Sequence, residues 1–488
     1  SVIKRKNGPG LPLLKKVLVD TRRIILGRVI FLIVANGIYS IDWLRNLRIM
    51  KKIIKKLTPK FLLSLYHLIL SYLGAFIYGF PSKDMIVIGV IGTRGKTTTA
   101  NLIWACLTAA GHKTGLTGTA NIRIGDHETL NKYHMTMPGR FVLQKLLSQM
   151  KRAGCKYAII ETPSEGVEQW RHKGIAYDML VLTTLYPEYL EVHNWDYERC
   201  KKMHLKPFEE LCRQPRKIID GKKIPKVIIV NSDNSESPIF LEQRADNKVT
   251  YGLKSNSDFK PQNITATADG NSFFLASDKY QLRMEGGFNV LNALGAIAVA
   301  SVLGIQKDAI TQGLSNLKVI PGRMEKIEAG QKFKVFIDYA HDEISLKAVL
   351  KAAEELKVEN SKIILLLGAE GGGRDKQKRP VMGDLAAKLT DYMVIANVDP
   401  YDDDPKVILQ DIAGAAEQAG KIKNKDLFVI EDRREGIKKT LSLAKVNDIV
   451  LITGKGAEQA MIIKNRRISW DDRLVTRQEL ERLDKWPA

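Results

Sequence analysis

Cysteine is scarce in this chain of 488 residues: Cys106, Cys155, Cys200 and Cys212 are the only four, with no CxxC pair and no zinc-binding spacing. That excludes a disulfide scaffold and a structural zinc site, and is the expectation for reduced thiols in a cytoplasmic protein. No cleavable signal peptide, internal repeat or low-complexity tract is expected either. Acidic residues are nearly missing from one end. Residues 1–60 hold fifteen Lys or Arg against two acids, Asp20 and Asp42, a surplus of 13 within a whole-chain net charge of +22. Such a segment suits an anionic surface, a solvated basic extension being the alternative. The expected partner is an anionic membrane surface, met peripherally at its inner face through residues 1–60; no nucleic acid is expected.

Long apolar runs are also few. Residues 29–41 are too short to span a bilayer. Residues 61–80 carry no formal charge, but Tyr66, His67, Ser71, Tyr72 and Tyr78 dilute them. A core-packed or membrane-surface helix is expected there rather than a span.

What is present is an ordinary globular composition, 44% hydrophobic and 27% charged, which excludes a disordered chain. The length suits about three domains. Residues 1–83 read as a short helical segment, basic and apolar, with a helix over 51–73 that Thr58-Pro59 kinks or restarts. From Met85 the texture becomes α/β. "MIVIGV", "KYAIIET", "MLVLTTL" and "KVIIVN" read as buried strands separated by helices, hence a mostly parallel sheet. Residues 247–284 read as short antiparallel strands. Pro321-Gly322 marks a junction, after which "KVFIDYA", "KIILLLGAE", "YMVIANVDP", "DLFVIED" and "DIVLITGKG" predict a second, Rossmann-like α/β domain. The expected division is 1–83, 84–320 and 321–488.

The strongest chemical signal is "GVIGTRGKTTT". It is not a strict GxxxxGKT, because that pattern needs glycine at Val90. The tighter core is Gly92-Thr93-Arg94-Gly95-Lys96-Thr97-Thr98, entered from a strand and left by a helix. Glycines let backbone N–H groups crowd around phosphate oxygens, and the helix N-terminus favours anions. Lys96 suits the β/γ-phosphates of ATP, and the Thr97 or Thr98 hydroxyl suits Mg²⁺.

A P-loop alone leaves kinase, GTPase and ligase open. Further motifs follow in order: "ETPSEG", "LEVHN", "GGFNVLNALGA", "PGRMEKI", "DYAHDEISL", "GGGRDKQKRPVMG" and "GKGAEQ". Together with the P-loop they resemble the Mur ligase family over roughly residues 84–480, most closely the branch that adds the third amino acid to a muramoyl dipeptide. The resemblance implies an ATP- and Mg²⁺-dependent amide ligase of peptidoglycan precursor synthesis, acting on a peptide-linked acceptor and an amino acid through an acyl phosphate. It implies that Glu161 and His193 face the metal with Thr97, and that Asn292 contacts adenine. It places Arg323 and Asp338 near phosphates and ribose, and Arg374, Gly454 and Glu458 at the incoming amino acid. Two other readings stay open: a ligase of another polymer, as in the folylpolyglutamate and cyanophycin branches, and a catalytically retired membrane-associated scaffold.

The chain departs from the family at several points. The UDP-sugar-binding N-terminal domain is not recognisable; the basic leader stands in its place. Where the family has Asp-Asn-Pro-Arg, this chain has Val398-Asp399-Pro400-Tyr401, which removes the arginine that would meet the distal carboxylate of diaminopimelate. With Asp402, Asp403 and Asp404 the loop is acidic, so a distal cation, as in L-lysine, is expected to be preferred. The family's carbamylated lysine falls on His204 if Phe208 anchors the alignment, and on Lys201 if Tyr197 does. Ala457 replaces a histidine and Arg94 an asparagine.

Overall fold

A run of apolar residues and glycine without polar alternation makes a strand buried on both faces. Ile86–Ile91 (β1) is such a strand, buried along its whole length. It belongs to the second of two compact units, residues 1–66 and 67–488, into which the chain divides. The computed structural model describes residues 59–187, 191–267, 270–464 and 466–483. The expectations for residues 1–58, including 29–41 and the start of the 51–73 helix, lie outside the described residues. The described helix is Lys60–Ile77, beginning directly after Pro59. Among the described residues no helix is long and apolar enough to cross a membrane.

Around β1 the chain adds Thr114–Thr117 (β2), Asn121–Ile124 (β3), His127–Leu130 (β4), Tyr157–Glu161 (β5) and Met179–Leu182 (β6). After a small hairpin, Ile218–Ile219 (β7) with Lys222–Lys223 (β8), come Val227–Asn231 (β9) and Asn247–Tyr251 (β10). The sheet order is β10-β9-β6-β1-β5-β2-β3-β4. All pairings from β10 to β2 are parallel, and only β3 and β4 turn antiparallel. The expectation of antiparallel pairing from residue 247 is therefore corrected at β10, which docks parallel on β9. It holds for Gln262–Thr267 (β11), Gly270–Leu275 (β12) and Asp278–Leu282 (β13), a separate antiparallel sheet.

The second sheet has the order β14-β15-β19-β16-β17-β18, from Glu325–Lys326 (β14), Lys334–Ile337 (β15), Ile363–Leu367 (β16), Tyr392–Ile395 (β17), Leu427–Val429 (β18) and Ile449–Ile452 (β19). It is parallel except at β14. A hairpin, Ala460–Ile463 (β20) and Arg466–Ser469 (β21), follows. Each large sheet carries an apolar core on both faces. The sheet architecture is the α/β arrangement expected. The four cysteines are free thiols, with Cys106, Cys155 and Cys200 buried.

Candidate active site

The site assembles at the carboxyl ends of both parallel sheets, where open α/β folds bind ligands. From β1 the chain passes through Gly92–Gly95 into the helix Lys96–Ala109. Gly95 has φ +80°, and a Cβ there would lie 2.4 Å from Asn292 Oδ1, so only glycine lets the helix Phe288–Val302 approach. Lys96 Nζ donates to the carbonyls of Gly92 (2.7 Å) and Thr93 (2.9 Å), closing the loop on itself. Asn292 donates to Asn289 Oδ1 at 3.1 Å.

Glu161, at the end of β5, is fully buried and saturated by donors. Thr97 Oγ1 donates to it at 3.0 Å, and the Thr119 amide and hydroxyl each at 2.9 Å. Arg323 Nη2 in turn donates to Thr97 Oγ1 at 3.1 Å, with its guanidinium 4.5 Å from the Tyr339 ring centroid. Asp338 spends its carboxylate on the amides of Met324 (2.8 Å) and Ala340 (2.7 Å); burial nonetheless pushes its pKa up. All of these groups except Glu161, which lies behind the Thr97 and Thr119 hydroxyls, border one cavity of about 680 Å³, lined by the P-loop, Thr119, His204, Asn292, Arg323, Asp338 and Arg374.

Two expected residues, His193 and Lys201, sit away from the cavity. His193 is buried and does not line the cavity: Nε2 lies 3.0 Å from Ser164 Oγ and Nδ1 3.4 Å from Glu168 Oε2. Burial favours the acid form of Glu168, but His193 and Arg199 overcome it and hold its pKa at about 2. Lys201 leaves the cavity for Glu198 (2.8 Å) and Glu236 (3.2 Å), which raise its pKa and oppose the neutral amine that carbamylation needs. His204, three residues on in the helix Tyr197–Leu211, faces inward. Its Nδ1 donates to the Cys200 carbonyl at 2.9 Å, and the Gly92 carbonyl also lies within reach of the ring.

Burial, then the charge of Lys96, lowers the His204 pKa to about 4. The unfolded chain, with an ordinary histidine pKa of about 6.5, therefore takes up this proton first as the pH falls. The contribution is nil above that value and becomes destabilising between it and the folded pKa. Between pH 7.5 and 5 it amounts to about 2 kcal/mol. His204→Gln should lose that much less stability over this interval. Urea unfolding of both proteins at the two pH values checks it, and equal losses would remove the argument.

Two of the expected amino-acid positions, Asp399 and Glu458, meet at a buried ammonium. Lys455 Nζ lies 2.8 Å from Asp399 Oδ2 and 2.7 Å from Glu458 Oε2. His134 Nε2 stands 3.3 Å from Asp399, and its Nδ1 3.7 Å from Glu458. Burial raises the Glu458 pKa despite Lys455; Asp399 also feels burial, but His134 and Lys455 outweigh it and lower its pKa. Two carboxylates around one lysine favour positive charge at this place. The rest of the acidic loop is partly engaged elsewhere. Asp404 caps the helix Pro405–Gln418, and Asp403 lies 3.8 Å from Arg379. Tyr401 has φ +54°, its amide donates to the Ile462 carbonyl at 3.0 Å, and burial pushes its phenol up to about 12. Gly454, at the end of β19, has φ +103°. Arg374 donates to Glu165.

Sequence reasoning passed over several partners. Asp342 pairs with Arg94 (Nε–Oδ1 2.9 Å, Nη2–Oδ1 2.8 Å) and caps the helix Glu343–Glu355. Asp342, Tyr339, Glu165 and Lys455 lie inside motifs already noted. His134 and Thr119 gave no signal. Gly322 (φ +64°) shows how close the junction packs on the "GKGAEQ" loop: a Cβ there would stand 2.1 Å from the Ala457 nitrogen.

A P-loop facing the strand ends of a second parallel sheet, with an arginine reaching from one to the other, defines a nucleotide-using α/β enzyme. Comparison with known proteins narrows this. The Mur ligase middle domain matches residues 90–300, and the Mur ligase glutamate ligase domain matches 322–456. The UDP-N-acetylmuramoyl-L-alanyl-D-glutamate–2,6-diaminopimelate ligase of Halalkalibacterium halodurans is 35% identical over 415 residues, covering 84% of this chain and 80% of the relative. The UDP-N-acetylmuramyl-tripeptide synthetase of Roseiflexus sp. is 33% identical over 423 residues, covering 85% and 82%. A solved diaminopimelate ligase aligns with TM-score 0.54 at 26% identity, covering 82% of this chain and 79% of that one. Mycobacterium tuberculosis folylpolyglutamate synthase aligns with TM-score 0.63 at 18% identity, covering 86% and 96%, a likeness of fold. The chain belongs to the Mur ligase family and is an ATP-dependent ligase that forms an amide bond.

Proposed function

We propose that this enzyme joins an amino acid to the peptide carboxylate of a muramoyl-peptide acceptor in peptidoglycan precursor synthesis. The observation that carries this reading is Arg323, from beyond the Pro321-Gly322 junction, bonded to the P-loop Thr97 in the wall of a cavity bordered by both sheets. The similarity to ligases whose names specify muramoyl-peptide substrates supports it. The working division is a leader (1–83), an ATP-binding domain (84–320) and a C-terminal domain (321–488).

A carboxylate is a poor electrophile. Its oxygen attacks the γ-phosphorus of ATP, ADP leaves, and the amine then attacks the acyl carbon, gives up a proton and expels phosphate. Gly92, Thr93, Arg94, Gly95 and Thr98 cradle the phosphates; Lys96 and Arg323 neutralise charge on the group in transit. Asn292 meets the base, and Asp338 shapes the ribose side by fixing the Arg323 loop. The Thr97 and Thr119 hydroxyls on the cavity wall are hard-oxygen groups that suit Mg²⁺, with the Glu161 carboxylate behind them holding both hydroxyls; bound there, the ion would shield phosphate charge. His193, expected at the metal, is assigned instead to holding Ser164 and Glu168, since both its nitrogens face those groups. Arg374, Asp399, Tyr401, Gly454 and Glu458 border the amino acid. With no arginine at Tyr401 and with Asp399 and Glu458 sharing one lysine, a dibasic amino acid such as L-lysine is preferred over meso-diaminopimelate. The fifteen cations of residues 1–60 rest on an anionic membrane surface.

The test is phosphate release from ATP with muramoyl-dipeptide acceptors and a panel of amino acids, with product mass recorded. Release that requires both substrates supports the reading. Release without an amino acid, or none with any acceptor, overturns it; faster turnover of diaminopimelate than lysine overturns the specificity alone. No carbamate is assigned, because His204 rather than Lys201 lines the cavity. Lys201→Ala should keep activity within about threefold of wild type, well short of the loss of a group acting in catalysis. A deep loss rescued by bicarbonate or a short carboxylic acid would restore the lysine.

A further inference from the structure

The helix Lys60–Ile77 presents its apolar side outward. Phe61, Leu62, Leu65, Tyr66, Ile69, Tyr72, Leu73, Phe76 and Ile77 are all exposed, from 43% at Leu73 to 71% at Phe76. Their three- and four-residue spacing puts them on one face. The fully buried side chains, Ser71 and Ala75, are small, while Leu63, Leu68 and Leu70 are only half-buried. Ser71 is buried, its hydroxyl 2.7 Å from the Trp170 carbonyl and 2.9 Å from that of His67. Ala75 is fully buried, so close to Gly174 that a Cβ on that glycine would lie 2.7 Å from it. A soluble amphipathic helix has the opposite polarity. Single exposed leucines need no explanation, but a stripe of large apolar side chains marks an interaction surface.

The occupant is indicated by charge. The stripe lies in a stretch, residues 61–80, without one formal charge, and directly after a segment with fifteen Lys or Arg and two acids. Lys60 and Lys83 bound it. Cations beside an uncharged apolar face with tyrosines on it are what an anionic bilayer surface binds. Spanning is not the mode: no described helix is long and apolar enough. The inward face is also tied by Ser71 to the Trp170 carbonyl. We propose that the outward stripe of Lys60–Ile77 is a membrane-docking face that lies in the interfacial plane of an anionic bilayer. This deepens the assignment of residues 1–60 and depends on it only for the sign of the lipid charge.

The experiment is flotation of the full chain with vesicles of phosphatidylcholine alone and of phosphatidylcholine with phosphatidylglycerol, at low and high salt. Ile69→Ser/Leu73→Ser/Phe76→Ser changes only exposed positions outside the site. It should weaken partition to anionic vesicles by about tenfold or more and leave phosphate release in solution unchanged. A full-length variant with Lys51, Lys52, Lys55 and Lys56 changed to glutamate should lose the preference for anionic lipid. Unchanged lipid preference in that variant, with a loss in the serine variant, retires the leader assignment and keeps the helix. Wild-type binding by the serine variant, or no binding by the wild type, overturns the docking face. So does sedimentation showing a wild-type dimer that the serine variant dissolves, since a second copy then covers the stripe. A marked fall in melting temperature of the serine variant without vesicle binding by the wild type would assign the cover to residues 1–58, and likewise overturns it.

Discussion

Lys96→Ala is expected to lower ATP-dependent phosphate release by about three orders of magnitude or more, the usual scale for removing a cation that stabilises a transferring phosphoryl group. The physical case is local. Lys96 is the first residue of the helix Lys96–Ala109, and its ammonium reaches back over the loop to the Gly92 and Thr93 carbonyls. Phosphate oxygens would offer it a stronger, charged partner in the same place. Without the lysine the loop loses two hydrogen bonds, which costs about 1–3 kcal/mol. The backbone and the close contact between Gly95 and Asn292 are untouched. The variant should therefore melt a few degrees lower and still fold. The pair of measurements is turnover under saturating ATP and thermal unfolding by circular dichroism. A folded variant with turnover within tenfold of wild type would falsify the assignment of this loop to ATP.

The other large effect is on stability. Lys455 is completely buried and is the ion-pair partner shared by Asp399 and Glu458. Lys455→Met keeps the volume and removes the charge, leaving two carboxylates facing each other in the interior. Breaking a buried pair this way costs about 3–5 kcal/mol. Glu458 has its pKa raised by burial even with Lys455 present, so in the variant one carboxylate should take up a proton near neutral pH and relieve part of the strain. The loss should consequently be largest above pH 8 and smaller near pH 5. Adding Glu458→Gln to Lys455→Met should recover a substantial part of it, since the two sites are coupled. Urea denaturation of the single and double variants at both pH values is the check. A loss below about 1 kcal/mol at pH 8 would mean that water reaches the pair and that it is not a buried one.

How much of this was legible in the sequence depends on how local the information was. β1, β5, β6, β9, β16 and β19 announce themselves as contiguous apolar runs, because a strand covered on both faces has no polar side to show. The P-loop is legible for a similar reason, its glycines, lysine and threonines being adjacent in the chain. The motif order carried the family; the P-loop, "ETPSEG", "DYAHDEISL" and "GKGAEQ" each sit where a parallel strand ends, at β1, β5, β15 and β19. Short strands such as β3, β4, β20 and β21 were missed. With four residues each, their pairing comes from the neighbouring strand rather than from their own pattern.

Tertiary structure alone decided the rest. Arg94 and Asp342 are 248 positions apart, and nothing in either neighbourhood foretells the ion pair between them. Lys201 and His204 share a helix, and the sequence allowed either to stand at the site; packing turns His204 to Gly92 and sends Lys201 to Glu236. Asp399 and Glu458 could be read as acidic, but not as facing one another across Lys455 and His134, because residues 134, 399 and 455–458 arrive from separate stretches of chain. The helix Lys60–Ile77 makes the same point in reverse. Its sequence displays a wide apolar stripe and a narrow strip of small residues at Ser71, Gly74 and Ala75, and by the usual rule the stripe goes inside. The structure puts Ser71 and Ala75 inside instead, because the surface they meet has no room for larger side chains: it presents the Trp170 carbonyl and Gly174. Periodicity determines that a helix has two faces, and only the partner surface determines which of them is buried.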